Sequence, residues 1–184
     1  MLVQDTPLAG VKIATPKKHG DRRGFFSEVY NEATWRAAGV DVRFVQDNHS
    51  RSAAPGTIRG LHFQIAPHAQ AKLVRVARGR ILDVAVDLRR SSPTYGRHFA
   101  VELSADNWAQ MFVPVGFAHG FCTLTEDVEV LYKVSEFYSP AHDRGLAWDD
   151  PDLAIAWPFA PENAVLSDKD RRWPRLRDLG EAFP

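Results

Sequence analysis

The chain has 184 residues, a length typical of one ordinary domain whose core needs no disulfide or metal for stability. Its 23 lysines and arginines balance 23 aspartates and glutamates, which argues against nucleic acid or an anionic membrane as partner. No apolar run approaches the roughly 20 residues that span a bilayer, and the single cysteine, Cys122, excludes an internal disulfide. Since no signal peptide is recognisable either, we expect a cytoplasmic protein.

Ten short segments of alternating apolar and polar residues, separated by Gly, Pro, Asn and Asp, predict an all-β fold. In chain order these segments are 11–15, 26–30, 44–50, 57–63, 72–77, 80–87, 98–103, 109–113, 119–124 and 128–135. The clearest local signal is a pair of alternating runs on either side of Gly79, which predicts a hairpin. So many short strands are typical of a sandwich or barrel.

Helices are predicted to be few, short and peripheral. One is expected at 32–38, with Asn31 capping its first turn and Gly39 ending it. After position 140 the composition shifts to Trp, Pro and Asp, and its prolines forbid long regular elements before a short helix at 167–171. We therefore expect residues 140–184 to wrap the barrel. No repeat or linker divides residues 1–184, so a single domain is predicted.

Several polar residues fall on strand faces that should be apolar, because residues two apart in a strand share a face. They are Lys72 with Val74 and Val76, Tyr132 with Val130 and Val134, His119 with Phe117 and Phe121, and Gln46 with Phe44 and Asn48. Taken alone, Tyr132 is compatible with an ordinary core tyrosine and Lys72 with a side chain that reaches solvent. Their convergence on one interior indicates a ligand site inside the barrel.

The segment from Pro114 to His119 has the Pro-x-Gly-x-x-His form of the second half of a cupin metal motif. The first half should supply His-x-His followed by Glu, but here Gln64 replaces the second histidine after His62 and no glutamate follows. A typical site of three or four ligands cannot be assembled unless His68 turns inward. The motif therefore predicts a cupin-type jelly-roll β-barrel without a metal.

Together these segments resemble the dTDP-4-dehydrorhamnose 3,5-epimerase family, a metal-free branch of the cupins. The resemblance extends over nearly the whole chain, through segments 21–28, 46–50, 59–64, 72–74, 114–121 and 131–133. It implies an isomerase that needs no cofactor and converts dTDP-4-dehydro-6-deoxy-D-glucose into dTDP-4-dehydro-L-rhamnose.

The chemistry implied by this family requires removal of a proton next to a ketone and return of one to the opposite face. The resemblance implies His62 as the base, Asp170 as the residue that orients it, and Tyr132 as the proton donor on the opposite face. Lys72 is implied as the cation beside the oxyanion that develops at carbon 4, an interaction typically worth about 3 to 4 kcal/mol. We also expect His119 and Asp83 to form a second pair.

The resemblance further implies substrate-binding residues, and it implies a homodimer in which Arg23 and Glu28 reach the neighbouring subunit's site. Arg23 and Arg59 correspond to arginines that bind the diphosphate. The remaining positions that contact the nucleotide or sugar are Gln46, Asp47, Asn48, Lys72, His119, Asp143 and Lys169, while Phe25 and Tyr138 are candidates for packing on the thymine.

Two features leave alternatives open. Strict alternation puts Arg59 and His62 on opposite faces of one strand, so either Gly60 introduces a bulge or Arg59 acts from the barrel rim. Asp143 occupies a position where the family commonly has glutamate, so it reaches a ligand through water or not at all.

The alternative functions are epimerisation at only carbon 3 or only carbon 5, and a carbohydrate-binding cupin without catalysis.

Overall fold

The computed structural model describes residues 1–180 and 182–184 of the chain. Its strands in this part of the chain are β1 (Leu2–Asp5), β2 (Lys12–Thr15), β3 (His19–Asp21), β4 (Gly24–Phe26), β5 (Gln46–Ser52), β6 (Ile58–Gln64), β7 (Lys72–Arg78), β8 (Arg80–Asp87), β9 (His98–Ser104), β10 (Gln110–Val113), β11 (Phe117–Thr123), β12 (Val128–Val134) and β13 (Asp143–Gly145). One α-helix, α1 (Glu32–Ala37), and two 3-10 helices, Pro161–Asn163 and Leu176–Asp178, complete the regular structure there. None of the described helices is long and apolar enough to cross a bilayer.

Two antiparallel sheets face each other and form the barrel. One has six strands in the order β1-β2-β10-β7-β12-β5, and the other has five in the order β13-β6-β11-β8-β9. Alternate side chains of both sheets meet in a core that includes Val74, Met111 and Val130 from the first sheet and Ile81 and Phe121 from the second. The fold is thus an all-β jelly-roll barrel of the cupin type, as the sequence predicts.

The outer face of the six-stranded sheet is covered by helix α1, and that of the five-stranded sheet is covered by the C-terminal segment. Helix α1 is capped by Asn31 and places Trp35 on the outside of the six-stranded sheet, where its ring lies 6.1 Å from that of Phe112. Leu146, Leu153 and Phe183 bury the outside of the five-stranded sheet. The C-terminal segment therefore lies against the sheet that carries His62.

Most of the predicted elements are confirmed. Nine of the ten predicted strands begin and end within about two residues of the observed ones, and the hairpin at Gly79 joins β7 to β8, with Gly79 at a φ of 75°. The predicted helix at 32–38 is α1.

Two predictions of local structure are wrong. Of the strand predicted at 26–30, only Phe26 is in a strand, because β4 pairs with β3 in a short hairpin and the chain then leaves without a ladder partner. The helix predicted at 167–171 is a set of turns, since its only bond of the α-helical spacing runs from the Arg171 N–H to the Ser167 carbonyl. The short strands β1, β3 and β13 were not predicted.

Candidate active site

A cavity of about 460 Å³ lies between the two sheets and opens beside the C-terminal segment. His62 and His119 enter it from the five-stranded sheet, and Lys72 and Tyr132 enter from the six-stranded sheet. An adjoining cavity of about 250 Å³ shares His62, Lys72 and Tyr132. Lys72 and His119 are buried and Tyr132 packs against the core, as the alternation of the strands predicts.

His62 is paired with Asp170, which lies 108 residues further along the chain. Its Nε2 atom lies 2.5 Å from Oδ1 of Asp170, and the Asp170 carboxylate is almost fully buried. Burial alone would raise the pKa of Asp170, but its interactions with His62, Ser167 and Trp173 hold it below the ordinary value of 3.8. Since Nε2–H donates to this carboxylate, Nδ1 is the ring nitrogen left to accept a proton.

Lys72 begins β7 and points into the barrel. Its ammonium donates to the backbone carbonyl of His62 at 3.2 Å, and the residue is only 8% exposed. Burial lowers its pKa from 10.5 to about 8, an effect that the negative charges of Asp143 and Asp83 oppose. Burial therefore disfavours the charged form of Lys72 in the cavity, and the two carboxylates favour it.

Tyr132 stands on β12, next to β7 in the six-stranded sheet, and so faces His62 from the opposite wall. Burial raises the pKa of its phenol; nearby Arg59 opposes this shift and Asp143 adds to it. The hydroxyl is therefore protonated at neutral pH and can donate a proton.

His119 and Asp83 form the expected second pair on the neighbouring strands β11 and β8. Nε2 of His119 lies 2.7 Å from Oδ1 of Asp83, and both side chains are buried. Oδ2 of Asp83 has no hydrogen-bond partner among the described residues. A carboxylate buried this way contributes negative potential to the cavity that holds Lys72.

A β-bulge at Gly60 resolves the question of Arg59. His62 pairs with His119 and Arg59 with Phe121, so that Gly60 and Leu61 together oppose only Gly120. This extra residue brings Arg59 to the same face as His62, and both line the larger cavity. The guanidinium is held by the Ser52 hydroxyl at 3.1 Å and the Arg51 carbonyl at 3.2 Å.

Asp143 lies at the rim of the smaller cavity, where it joins Lys169 and Tyr138. The Lys169 ammonium donates to the Asp143 carboxylate, and the Tyr138 hydroxyl donates to the same oxygen at 3.1 Å. The pKa of Lys169 is raised, since this hydrogen bond and charge outweigh the cost of burial. Despite its shorter side chain, Asp143 is therefore part of the cluster that lines the cavity.

Three consecutive residues at the start of β5, Gln46, Asp47 and Asn48, were predicted to bind the substrate. Their side chains alternate between the two faces of the strand. Gln46 and Asn48 line the smaller cavity and are joined by a hydrogen bond of 2.9 Å. The Asp47 side chain points to the outer face, where it forms an ion pair with Lys133 at 2.8 Å. In a single chain the Asp47 side chain is therefore not among those that line either cavity, and its part in binding stays a prediction.

The predicted residues of the β3–β4 hairpin and of the segment just after it lie away from both cavities in this chain. Arg23 is exposed and forms an ion pair with Asp21 at 2.5 Å. Glu28 borders a separate small cleft, and Phe25 packs edge-on against Trp108. A single chain therefore does not bring Arg23, Glu28 or Phe25 to His62.

The residues around His62 do not form a metal site, judged by their side-chain partners. Gln64 donates to the carbonyls of His68 and Phe137 and accepts from the Ser139 N–H, so its amide is fully used in holding a loop. His68 packs against His142, with ring centroids 4.6 Å apart and ring planes tilted by 51°, instead of turning inward. Within residues 1–180 and 182–184, no three His, Cys, Asp or Glu side chains are grouped to bind a metal.

Sequence reasoning missed two residues that contact Asp170. The Ser167 hydroxyl accepts the Asp170 N–H at 3.1 Å, and the Trp173 indole donates to Oδ1 of Asp170 at 3.3 Å. Neither lies in a periodic element, so only their closeness in sequence to Asp170 could have pointed to them.

Comparison with known proteins agrees with this geometry. A family model described as dTDP-4-dehydrorhamnose 3,5-epimerase matches residues 5–178. A protein of that name from Sinorhizobium fredii is 53% identical over 183 residues, covering 100% of this chain and 93% of the relative. The crystal structure of such an epimerase from Bacillus anthracis, with TDP and PPi bound, is 50% identical with a TM-score of 0.91, over 95% of this chain and 99% of that one.

A structure from Legionella pneumophila in complex with dTDP-4-keto-L-rhamnose is 41% identical, with a TM-score of 0.94 over 100% of this chain and 97% of that one. A 3'-monoepimerase from Streptomyces bikiniensis in complex with dTDP-quinovose is more distant, with 37% identity and a TM-score of 0.86 over 93% of this chain and 87% of that one. With a family model that matches almost its full length, the chain belongs to the dTDP-4-dehydrorhamnose 3,5-epimerase family.

Proposed function

We propose that the protein converts dTDP-4-dehydro-6-deoxy-D-glucose into dTDP-4-dehydro-L-rhamnose by inverting carbons 3 and 5. The observation that carries this proposal is the placement of a histidine–carboxylate pair and a tyrosine on opposite walls of one cavity. Such an arrangement suits a reaction that removes a proton from one face of a carbon and returns one to the other.

In the first step, Nδ1 of His62 removes the proton from a carbon next to the 4-keto group. The electron pair of the broken C–H bond forms an enolate, whose charge lies on the oxygen at carbon 4. Asp170 stabilises the resulting imidazolium, since it already accepts a hydrogen bond from Nε2. The buried Lys72 ammonium is the cation available for the enolate oxygen.

In the second step, the Tyr132 hydroxyl gives its proton to the same carbon from the opposite face, and the enolate returns to the ketone. The phenolate then regains a proton from solvent, and His62 releases the one it took. The same groups act at carbon 3 and at carbon 5, so two rounds produce the double inversion.

Arg59, which lines the larger cavity, is proposed to bind the diphosphate, and other parts of the ligand are proposed to extend into the smaller cavity. Gln46, Asn48 and the Asp143–Lys169 pair line that cavity and offer hydrogen bonds to the sugar or nucleotide.

We further propose that residues 1–184 form one domain that acts as a homodimer in the cytoplasm, with Arg23 and Glu28 completing the neighbouring site. The hairpin that carries Arg23 exposes Phe25 and Phe26, which supports its burial against a partner. Phe25 and Tyr138 are the aromatic candidates for the thymine, and Tyr138 is also exposed. The free thiol of Cys122 suits a reducing compartment.

The decisive experiment is incubation of the protein with dTDP-4-dehydro-6-deoxy-D-glucose in deuterated water. Double epimerisation predicts deuterium at both carbon 3 and carbon 5, detected by NMR, together with a product of the L-rhamno configuration. A label at only one carbon would favour monoepimerisation, which the similarity to a 3'-monoepimerase keeps as the second candidate. Binding of the nucleotide sugar without any solvent exchange would refute both.

A further inference from the structure

Trp173 contacts the His62–Asp170 pair from the C-terminal segment. Its indole N–H donates to Oδ1 of Asp170 at 3.3 Å, and this same oxygen lies 2.5 Å from Nε2 of His62. Oδ1 therefore accepts two hydrogen bonds, one from the base and one from the indole. Two donors on one oxygen restrict the rotation of the carboxylate.

The indole ring is itself fixed on two sides. It stands edge-on to the imidazole of His62, with ring centroids 6.2 Å apart. Its other contact is Gly145 of β13, the residue that pairs directly with His62 on β6. A Cβ at Gly145 would lie 2.5 to 2.6 Å from three indole atoms, so the ring occupies the space of the missing side chain.

We propose that Trp173 is a positioning residue, whose indole holds the Asp170 carboxylate in line with Nε2 of His62. This inference rests on the proposed function, because it assigns Trp173 a part in the epimerisation through His62. The indole has two separable roles: its ring fills space over Gly145, and its N–H directs the carboxylate. Only the second role acts on the chemistry.

The test is the substitution Trp173→Phe, which keeps an aromatic ring over Gly145 and removes the donor. We expect kcat for epimerisation to fall about tenfold, equivalent to about 1.4 kcal/mol, while KM changes by less than about twofold because Trp173 is not among the residues that line either cavity. The matched control is Trp157→Phe. Trp157 lies in the same segment and its N–H also donates, at 2.7 Å to the Trp148 carbonyl, but away from the site.

The pH profile of kcat/KM separates positioning from simple packing. A loosely held Asp170 stabilises the His62 imidazolium less, so the acid limb of the Trp173→Phe profile should move to lower pH than in the wild type. The charged and titratable groups that line the two cavities with His62 are Asp170, Lys72, His119, Arg59, Tyr132, Lys169, Asp143 and Tyr138, and all of them are unchanged in this variant. A shift of the limb is therefore assigned to the geometry of the pair.

A double-mutant cycle with Asp170→Asn gives a second, independent readout. If Trp173 acts through Asp170, adding Trp173→Phe to Asp170→Asn should lower kcat by less than about twofold further. Thermal unfolding should show that both single variants remain folded, and Gly145→Ala, which displaces the indole without removing it, should reproduce the loss of kcat.

Full kcat in Trp173→Phe, an acid limb that stays in place or moves to higher pH, or additive losses in the cycle would each overturn the positioning role. A wild-type protein without any solvent exchange would instead refute the proposed function.

Discussion

The ammonium group of Lys72 is buried inside the barrel, where it donates a hydrogen bond to the His62 carbonyl. Burial lowers its pKa to about 8, whereas in the unfolded chain it is near 10.5. Between these two values the unfolded state binds more protons than the folded state, so this group makes the fold more stable as the pH rises from 8 to 10.5. Below pH 8 the folded protein carries the full cost of a buried charge.

Lys72→Met should therefore stabilise the fold while it abolishes epimerisation. We expect the free energy of unfolding at pH 7 to rise by about 1 to 2 kcal/mol, measured by urea denaturation, and the gain to shrink as the pH approaches 10.5. Lys17→Met, at an exposed position, is the control and should change it by less than about 0.5 kcal/mol. A less stable Lys72→Met variant at pH 7 would contradict this account of the buried charge.

His62 and Tyr132 should separate the two halves of the reaction. His62→Ala removes the base, so deuterium exchange at both carbons should fall by about 10³-fold or more. Tyr132→Phe leaves the base intact and removes only the donor on the opposite wall. In that variant, exchange of the original proton should continue while formation of the inverted product falls by about 10²-fold. Equal loss of both signals in Tyr132→Phe would argue against its role as the donor.

Strand β6 positions two functional side chains on one face only because it approaches β11 unusually closely. A Cβ added to Gly60 would lie 2.5 Å from Cα of Gly120, and one added to Gly120 would lie 2.9 Å from the Arg59 carbonyl. Gly60 also has a φ of 148°, which other residues rarely adopt. The bulge that aligns Arg59 with His62 thus depends on a pair of glycines facing each other.

Gly60→Ala should destabilise the protein by about 3 kcal/mol or more, because the backbone of β11 cannot yield as a flexible side chain would. Thermal unfolding measures this loss, and the kcat of the folded fraction should also fall as Arg59 and His62 lose their common face. The control is Gly39→Ala. Gly39 also has a positive φ, but a Cβ there would meet open space, so this variant should lower the free energy of unfolding by only about 1 kcal/mol. Similar losses in the two variants would show that the close approach is unimportant.

How well the elements could be predicted depends on whether their causes are local. The β7–β8 hairpin was predictable because alternation and Gly79 lie within eleven residues of each other. Strand β13 has only three residues, and its partner β6 lies about 80 positions away, so no local pattern marks it. The local sequence could not decide whether Gly60 forms a bulge or Arg59 acts from the rim, because the bulge depends on the close approach of Gly60 to Gly120 on another strand.

The site was predictable to a similar degree. Alternation alone places Lys72 and Tyr132 in the barrel, and both line the cavity. The pairing of His62 with Asp170 came from the family resemblance, because the turns at 167–171 carry no periodicity that would aim a carboxylate inward. Neither strand alternation nor the family resemblance pointed to Trp173 and Ser167, because their contacts appear only when that segment is folded against β6 and β13.

On the scale of the whole molecule, one chain does not bring together the two arginines, Arg23 and Arg59, that are proposed to bind the diphosphate. Arg59 lies in the cavity, whereas Arg23 projects from a hairpin whose two phenylalanines are exposed. In a chain with no net charge, anion binding depends on such local clusters. A partner that receives this hairpin would bury the phenylalanines and bring a second arginine to its own cavity.

Mixed dimers test whether Arg23 acts in the neighbouring site. As homodimers, Arg23→Ala should lose about 100-fold in kcat/KM, and His62→Ala should be inactive. When the two variants are co-expressed, each mixed dimer contains one site with His62 from one chain and Arg23 from the other. Random mixing should then restore about a quarter of wild-type activity.

The control is co-expression of Arg23→Ala with a chain that carries both Arg23→Ala and His62→Ala. In those mixed dimers the only site with His62 lacks Arg23 from either chain, so no activity should return. If Arg23 instead served its own chain, the first mixture would stay as inactive as the control, because no site would hold both residues. Restoration in the first mixture alone would therefore assign Arg23 to the partner's cavity and make the dimer the catalytic unit.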